Sequence, residues 1–223
     1  MEEKNLIRML FPTSEKRARR ARSQRGLEKR TSVSYLKEII WHGRGGQGAK
    51  TVAEFLALVA LREGKYSQGF PEYGPERSGA PMRGYTRVSD APIKMHSAVY
   101  HPDAVLVLDA TLLNPSDVTE GMAGEGAVLI NTPLAPREIA SRHPFLAGKK
   151  VWTVDATGIA RAEIGRPIPN MPMLGALVKA TSVVKLESVA GDIRKEFQEK
   201  FSPRVLEGNL KTIDRAFREV RSV

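Results

Sequence analysis

Three continuous apolar runs give the plainest pattern along the chain: Ala104-Val105-Leu106-Val107-Leu108, Ala127-Val128-Leu129-Ile130 and Val151-Trp152-Thr153-Val154. Short apolar runs of this length read as strands buried on both faces of a parallel sheet. Each ends in a polar residue, Asp109, Asn131 or Asp155. Those residues belong at strand carboxyl ends, where an open α/β sheet keeps its crevice, or serve as caps of the next turn. Tyr35 to Trp41 reads as an earlier strand, Lys65 to Phe70 as a short one, and Gly84 to Ser89 alternates like another. Ala49 to Arg62, rich in Ala, Leu and Val, is spaced as an amphipathic helix. The last third is helical. Met173 to Ala180 is apolar enough to pack on the sheet, and Leu186 to Lys200 and Pro203 to Val220 are amphipathic, with Pro203 suited to a first helical position. The order of elements predicts an α/β fold: an open, mostly parallel, Rossmann-like sheet with helices on both faces and a helical C-terminal third.

Two proline-rich stretches interrupt this pattern. Residues 71–81 hold three Pro and two Gly, which argues against regular structure, yet carry Glu72, Tyr73, Glu76 and Arg77. A stiff loop bearing charge is a frequent home of function. Residues 164–172, with Pro167, Pro169 and Pro172, read as a stiff connector.

The most informative segment is Gly43-Arg44-Gly45-Gly46-Gln47-Gly48, between the first strand and the first helix. Four glycines in six positions open backbone conformations closed to other residues and leave helix N–H groups uncovered. Gly43, Gly45 and Gly48 satisfy the dinucleotide-binding spacing, but the acidic partner about twenty residues on is ambiguous between Glu63 and Glu72. A Walker A reading also fits in part. Lys50 and Thr51 arrive one position late, however, and one residue turns a helical side chain by about 100°. A bare turn, a site for a phosphate-containing ligand and a subunit contact all remain open for this loop.

Composition narrows the partners. The chain has 223 residues, 41% hydrophobic and 27% charged, with no apolar run long enough to span a membrane and no hydrophobic leader of the secretory kind. A cytoplasmic location is the expectation. Cysteine is absent, so the chain can form no disulfide and supply no thiolate to an iron–sulfur cluster. His42, His96, His101 and His143 lack metal-site spacing and read as surface or loop residues. Of the net charge of +10, residues 1–34 carry +6, from ten Lys/Arg against four Glu. Residues 1–34 therefore form a basic extension ahead of a 35–223 domain. The main domain, at +4, is not a basic nucleic-acid module; the extension could meet nucleic acid or an acidic membrane, but Phe11 is its one aromatic, so base stacking is not expected and it reads first as a solvated or partner-wrapping arm.

Four blocks, in this order and spacing, resemble the gamma subunit of the 2-oxoacid:ferredoxin oxidoreductases, the pyruvate branch most of all. They are Trp41 to Lys50, Phe70 to Arg83, Val107 to Leu113 and Pro169 to Leu177. The resemblance covers about residues 35–222; residues 1–34 fall outside the pattern, and Met171 stands where a Thr is expected. It implies a complex with alpha, beta and delta (ferredoxin-like) subunits. Such a complex converts pyruvate, coenzyme A and oxidised ferredoxin reversibly to acetyl-CoA, carbon dioxide and reduced ferredoxin. Thiamine diphosphate with Mg and the [4Fe–4S] clusters would sit in partner subunits, and this chain would hold no catalytic or metal-ligating residue. Residues 43–48 with Arg77 and Ser78 would form loops on the coenzyme A side or at a subunit interface. A free-standing dinucleotide-binding regulatory protein is the alternative reading.

Overall fold

The computed structural model describes residues 35–72 and 79–223, and Tyr35–Val223 makes one compact unit. The basic extension 1–34 lies outside the described residues. Seven strands form one sheet: β1 (Leu36–Arg44), β2 (Tyr66–Pro71), β3 (Pro81–Ser89), β4 (Ala104–Val107), β5 (Ala127–Asn131), β6 (Lys150–Val154) and β7 (Arg221–Ser222). Their spatial order is β2-β3-β1-β4-β5-β6-β7. β1, β4, β5 and β6 pair in parallel. β3 runs antiparallel to both β1 and β2, and β7 antiparallel to β6, so β2 shares the direction of the parallel four. The sheet is thus mostly parallel, with one reversed strand inserted between β1 and β2 and a two-residue reversed strand closing the far edge.

Side chains alternate across the pleat and build two cores. Ile39, Trp41, Leu106 and Leu129 face one side; Ile40, Val105, Val107, Val128 and Ile130 face the other. The first side is covered by five helices: α1 (Ala49–Arg62), α4 (Ala156–Ile164), α5 (Asn170–Thr181), α6 (Leu186–Phe197) and α7 (Pro203–Glu219). Among the described residues, the second carries the short α2 (Pro115–Val118) and α3 (Pro136–Arg142), 3-10 turns at Ala110–Leu112 and Pro144–Leu146, and loop residues such as Val99 and Met122. Helices do lie on both faces, but very unequally.

Contact between α1 and the sheet explains two glycines. A Cβ on Gly84 would stand 2.9 Å from the Ala49 carbonyl oxygen, and one on Gly69 would stand 2.7 Å from that of Ala53. The stripe Ala49, Ala53, Ala57 on α1 packs directly onto this pair, a distance no larger side chain permits. Two hydroxyls pin the same helix. Thr86 donates to the Ala53 carbonyl at 2.9 Å while accepting from the Trp41 indole at 3.0 Å, and Ser67 donates to the Ala57 carbonyl at 2.6 Å.

Several boundaries differ from expectation, each for a local reason. β1 continues through His42, Gly43 and Arg44 because β3 begins at Pro81 and pairs Gly43 with Met82 and Arg44 with Pro81. The open part of the glycine segment is therefore Gly45 to Gly48. Pro71 and Pro81 sit at strand ends, where a missing N–H is tolerated. The stretch read as a stiff connector through Pro172 gives way to α5 at Asn170, since a proline fits a first helical turn. α4 was missed: its nine residues include Gly158 and bury only Ala156, Ile159 and Ala160, too little for a periodic signal.

Candidate functional site at the carboxyl edge of the sheet

The chain leaves β1 toward β2 on one side of the sheet and leaves β4 toward β5 on the other. Their carboxyl ends, side by side, form the switch point where open α/β sheets bind ligands. Gly45 to Gly48 lies there. Several loop amides are used internally: Arg44 N–H donates to Gln47 Oε1 at 2.8 Å, Gln47 N–H to the Arg44 carbonyl at 3.0 Å, and Gly45 N–H to the Ala80 carbonyl at 2.9 Å. Gly46, Gly48, Lys50 and Thr51 N–H groups find no acceptor among the described residues. Gly48, at φ +81°, is the N-cap of α1 and supplies no side-chain cap; the first turn carries no acid. Lys50 is exposed there, on the end of a helix dipole that favours anions. Asn170, 8% exposed at the start of α5, closes the other side. Its Oδ1 accepts the Met171 N–H at 2.8 Å, and its Nδ2 lies 2.4 Å from where a Gly48 Cβ would be. Only glycine serves at position 48, for its backbone angle and for this contact. Uncovered amides, an amide side chain beside Gly48 and an exposed lysine in the first turn thus sit at one helix end, chemistry that suits an anion.

Asp109, at the end of β4, braces the loop from beneath. Its carboxylate accepts from Arg44 Nε and Gln47 Nε2, both at 3.1 Å, and from Thr111 N–H and Oγ1 at 3.0 and 2.6 Å. Burial pushes its pKa up, but these donors outweigh it and hold the carboxyl below its usual range. Arg44 also donates to the Gly79 carbonyl at 3.2 Å and to Thr111 Oγ1 at 2.9 Å.

On the thinly covered face, His42 is 4% exposed in β1, which corrects its reading as a surface or loop residue. Its Nε2 has no partner among the described residues. Burial, with Arg83 beside it, pushes its pKa down to about 4. Arg83 pairs with Asp117 at 2.5 Å and, more loosely, with Glu72 at 3.7 Å.

Residues 38–219 match the Pyruvate ferredoxin/flavodoxin oxidoreductase family. The chain belongs to that family. It is 47% identical over 184 residues to the pyruvate synthase subunit PorC of Thermotoga maritima, covering 82% of this chain and 94% of that one. It is also 47% identical over 180 residues to the pyruvate/ketoisovalerate oxidoreductases common subunit gamma of Thermococcus kodakarensis, covering 81% and 95%. The crystal structure of the Thermotoga maritima pyruvate oxidoreductase subunit PORC superposes with a TM-score of 0.74 at 44% identity, covering 84% of this chain and 98% of that one. Within the family, this is a gamma-subunit chain.

For this gamma chain, Gly43, Arg44, Gly45, Gly46, Gln47 and Gly48 are brought together with Asp109 and Asn170, Lys50 follows exposed in the first turn of α1, and Arg77 and Ser78 lie outside the described residues. Glu72 N–H donates to the Arg83 carbonyl and Gly79 N–H to Gly45, so both flanks of that segment are fixed near the loop. Sequence reasoning passed over Lys50 and Asn170 as site residues, although both stood in the blocks carrying the resemblance. The lysine was judged against a P-loop geometry this fold does not use. Neither dinucleotide acid is in position: Glu63 accepts from Lys185 N–H at the far end of α1, and Glu72 is separated from β1 by β3. Among the described residues no cluster of His, Asp or Glu is placed to hold a metal ion.

Proposed function

We propose that this gamma chain works in a cytoplasmic complex with alpha, beta and delta subunits that joins the oxidative decarboxylation of pyruvate to acetyl-CoA formation and ferredoxin reduction, reversibly. Its own part is to receive a phosphate of coenzyme A at the N-terminus of α1. The carrying observation is the helix end at Gly48 without a side-chain cap, where free amides stand beside Asn170 and Lys50 is exposed in the first turn. Coenzyme A is the reactant of this reaction that brings phosphate groups. Clusters do not fit here, since the chain has no cysteine; they and thiamine diphosphate with Mg belong to partner chains, so this chain alone is inactive. Arg77 and Ser78 stay candidates for the same role from the sequence alone, since they lie outside the described residues. The dinucleotide alternative loses its support because β3 separates the end of β2 from β1.

In the assembled complex, Lys50→Ala raises the KM for coenzyme A with kcat and the KM for pyruvate unchanged, the pattern of lost uniform binding. An unchanged KM for coenzyme A would return the loop to a turn or a subunit contact.

A further inference from the structure

Asp109 lies at the switch point, directly under the glycine turn, with its side chain 20% exposed. It receives four donors from three residues, more than capping a short turn requires. The Thr111 bonds alone complete that cap. The other two reach back to the end of β1 and the loop after it: one pairs with Arg44, and one draws the Gln47 amide inward. Gln47 in turn uses its oxygen on Arg44 N–H, so its side chain is folded beneath the turn. Arg44, once paired, spends its remaining nitrogens on the Gly79 carbonyl and Thr111. The consequence is a division of charge. The arginine of the loop is consumed in bracing it to Asp109 after β4 and to the segment entering β3, and among the described residues Lys50 is left as an exposed cation in the first turn of α1.

We infer that Asp109 is a positioning residue for coenzyme A. By holding Gln47 and Arg44 toward the end of β4, it fixes the turn that carries the Gly46 and Gly48 amides, which find no acceptor among the described residues. It touches no substrate and acts through the loop. The inference rests on the coenzyme A reading above.

Asp109→Asn in the assembled complex is the test. The variant keeps size and can keep one acceptor for Thr111, but sets an amide N–H₂ against the Arg44 and Gln47 donors. The KM for coenzyme A rises on the order of tenfold, as expected for loss of charge-assisted bonds, while kcat and the KM for pyruvate stay put. A KM for coenzyme A that is unchanged or lowered overturns the inference, as does a parallel fall in activity toward both substrates. If Asp109→Asn does not assemble, Gln47→Leu is read instead. It removes both amide bonds yet leaves Asp109 on Arg44 and Thr111, and it raises the same KM severalfold; no rise overturns the inference. Lys50→Ala separates the two claims. If Lys50→Ala raises the KM and Asp109→Asn does not, the positioning role fails and the phosphate site stands. If neither does, the phosphate site itself fails.

Discussion

Two helices begin at the carboxyl edge of the sheet with opposite chemistry. After β6, Asp155 caps α4 with its own carboxylate, accepting the Gly158 N–H at 2.8 Å. Asn131 of the neighbouring strand accepts the Thr157 N–H at 3.1 Å. That end is satisfied from within. After β1, the same position holds Gly48, no side-chain cap, no acid in the first turn, and Lys50. Side-chain caps add roughly 1 kcal/mol to stability, and an end that lacks one and carries a cation suits an anion from outside. One chain shows both arrangements at the same edge of the sheet.

Acid separates the two ends most strongly. His42 in β1 lies in register with Val107, Ile130 and then Thr153 of β6, all facing the thinly covered side. The strand leading to the open end thus carries a buried imidazole where the strand leading to the closed end carries a hydroxyl. The folded chain holds His42 neutral down to about pH 4, whereas the unfolded chain protonates it near 6.5. The unfolded state therefore binds the extra proton, and stability falls as pH drops from about 6.5 to about 4, by roughly 2–3 kcal/mol at pH 4.5. Denaturant midpoints at pH 7.5 and 4.5 measure it. His42→Gln should flatten that difference; a slope as steep as that of the parent chain would contradict it. The carboxyls of Asp109 and Asp117 are held low in the fold, so their contribution is lost at still lower pH.

A smaller effect comes from editing the ends themselves. Asp155→Ala should lower stability by about 1 kcal/mol and leave coenzyme A kinetics alone. Lys50→Glu should raise stability by roughly 0.5 kcal/mol, since an acid suits a helix start, while weakening coenzyme A binding. Stability and binding move oppositely at the open end and independently at the closed one. Thermal unfolding of the chain beside kinetics of the complex reads both. If Lys50→Glu costs stability, the first turn of α1 is not an unfilled anion site.

How much of this was legible in the sequence follows from the range of each interaction. The buried runs of β4, β5 and β6 announced themselves because a strand covered on both faces must be apolar throughout. The glycine segment marked the helix start by composition alone. The place of β3 between β1 and β2 could not be read, because strand order depends on pairing between distant segments. For the same reason Asn170 gave no sign that it would pack on Gly48. Asp109 looked like a simple cap from its neighbours, and it is one; its second role, holding Arg44 and Gln47, required β4 to lie beside β1. His42 misled because a lone histidine beside glycines resembles a loop residue, whereas pairing with β3 carried the strand past it.

Hydrogen–deuterium exchange of the assembled complex, with and without coenzyme A, tests the central claim most directly, because it reads both helix ends in one experiment. The account predicts slower exchange of the amides at Gly46, Gly48, Lys50 and Thr51 when coenzyme A is present, and no change at Thr157 and Gly158. Equal exchange at the α1 end with and without coenzyme A, or protection confined to the α4 end, would contradict it.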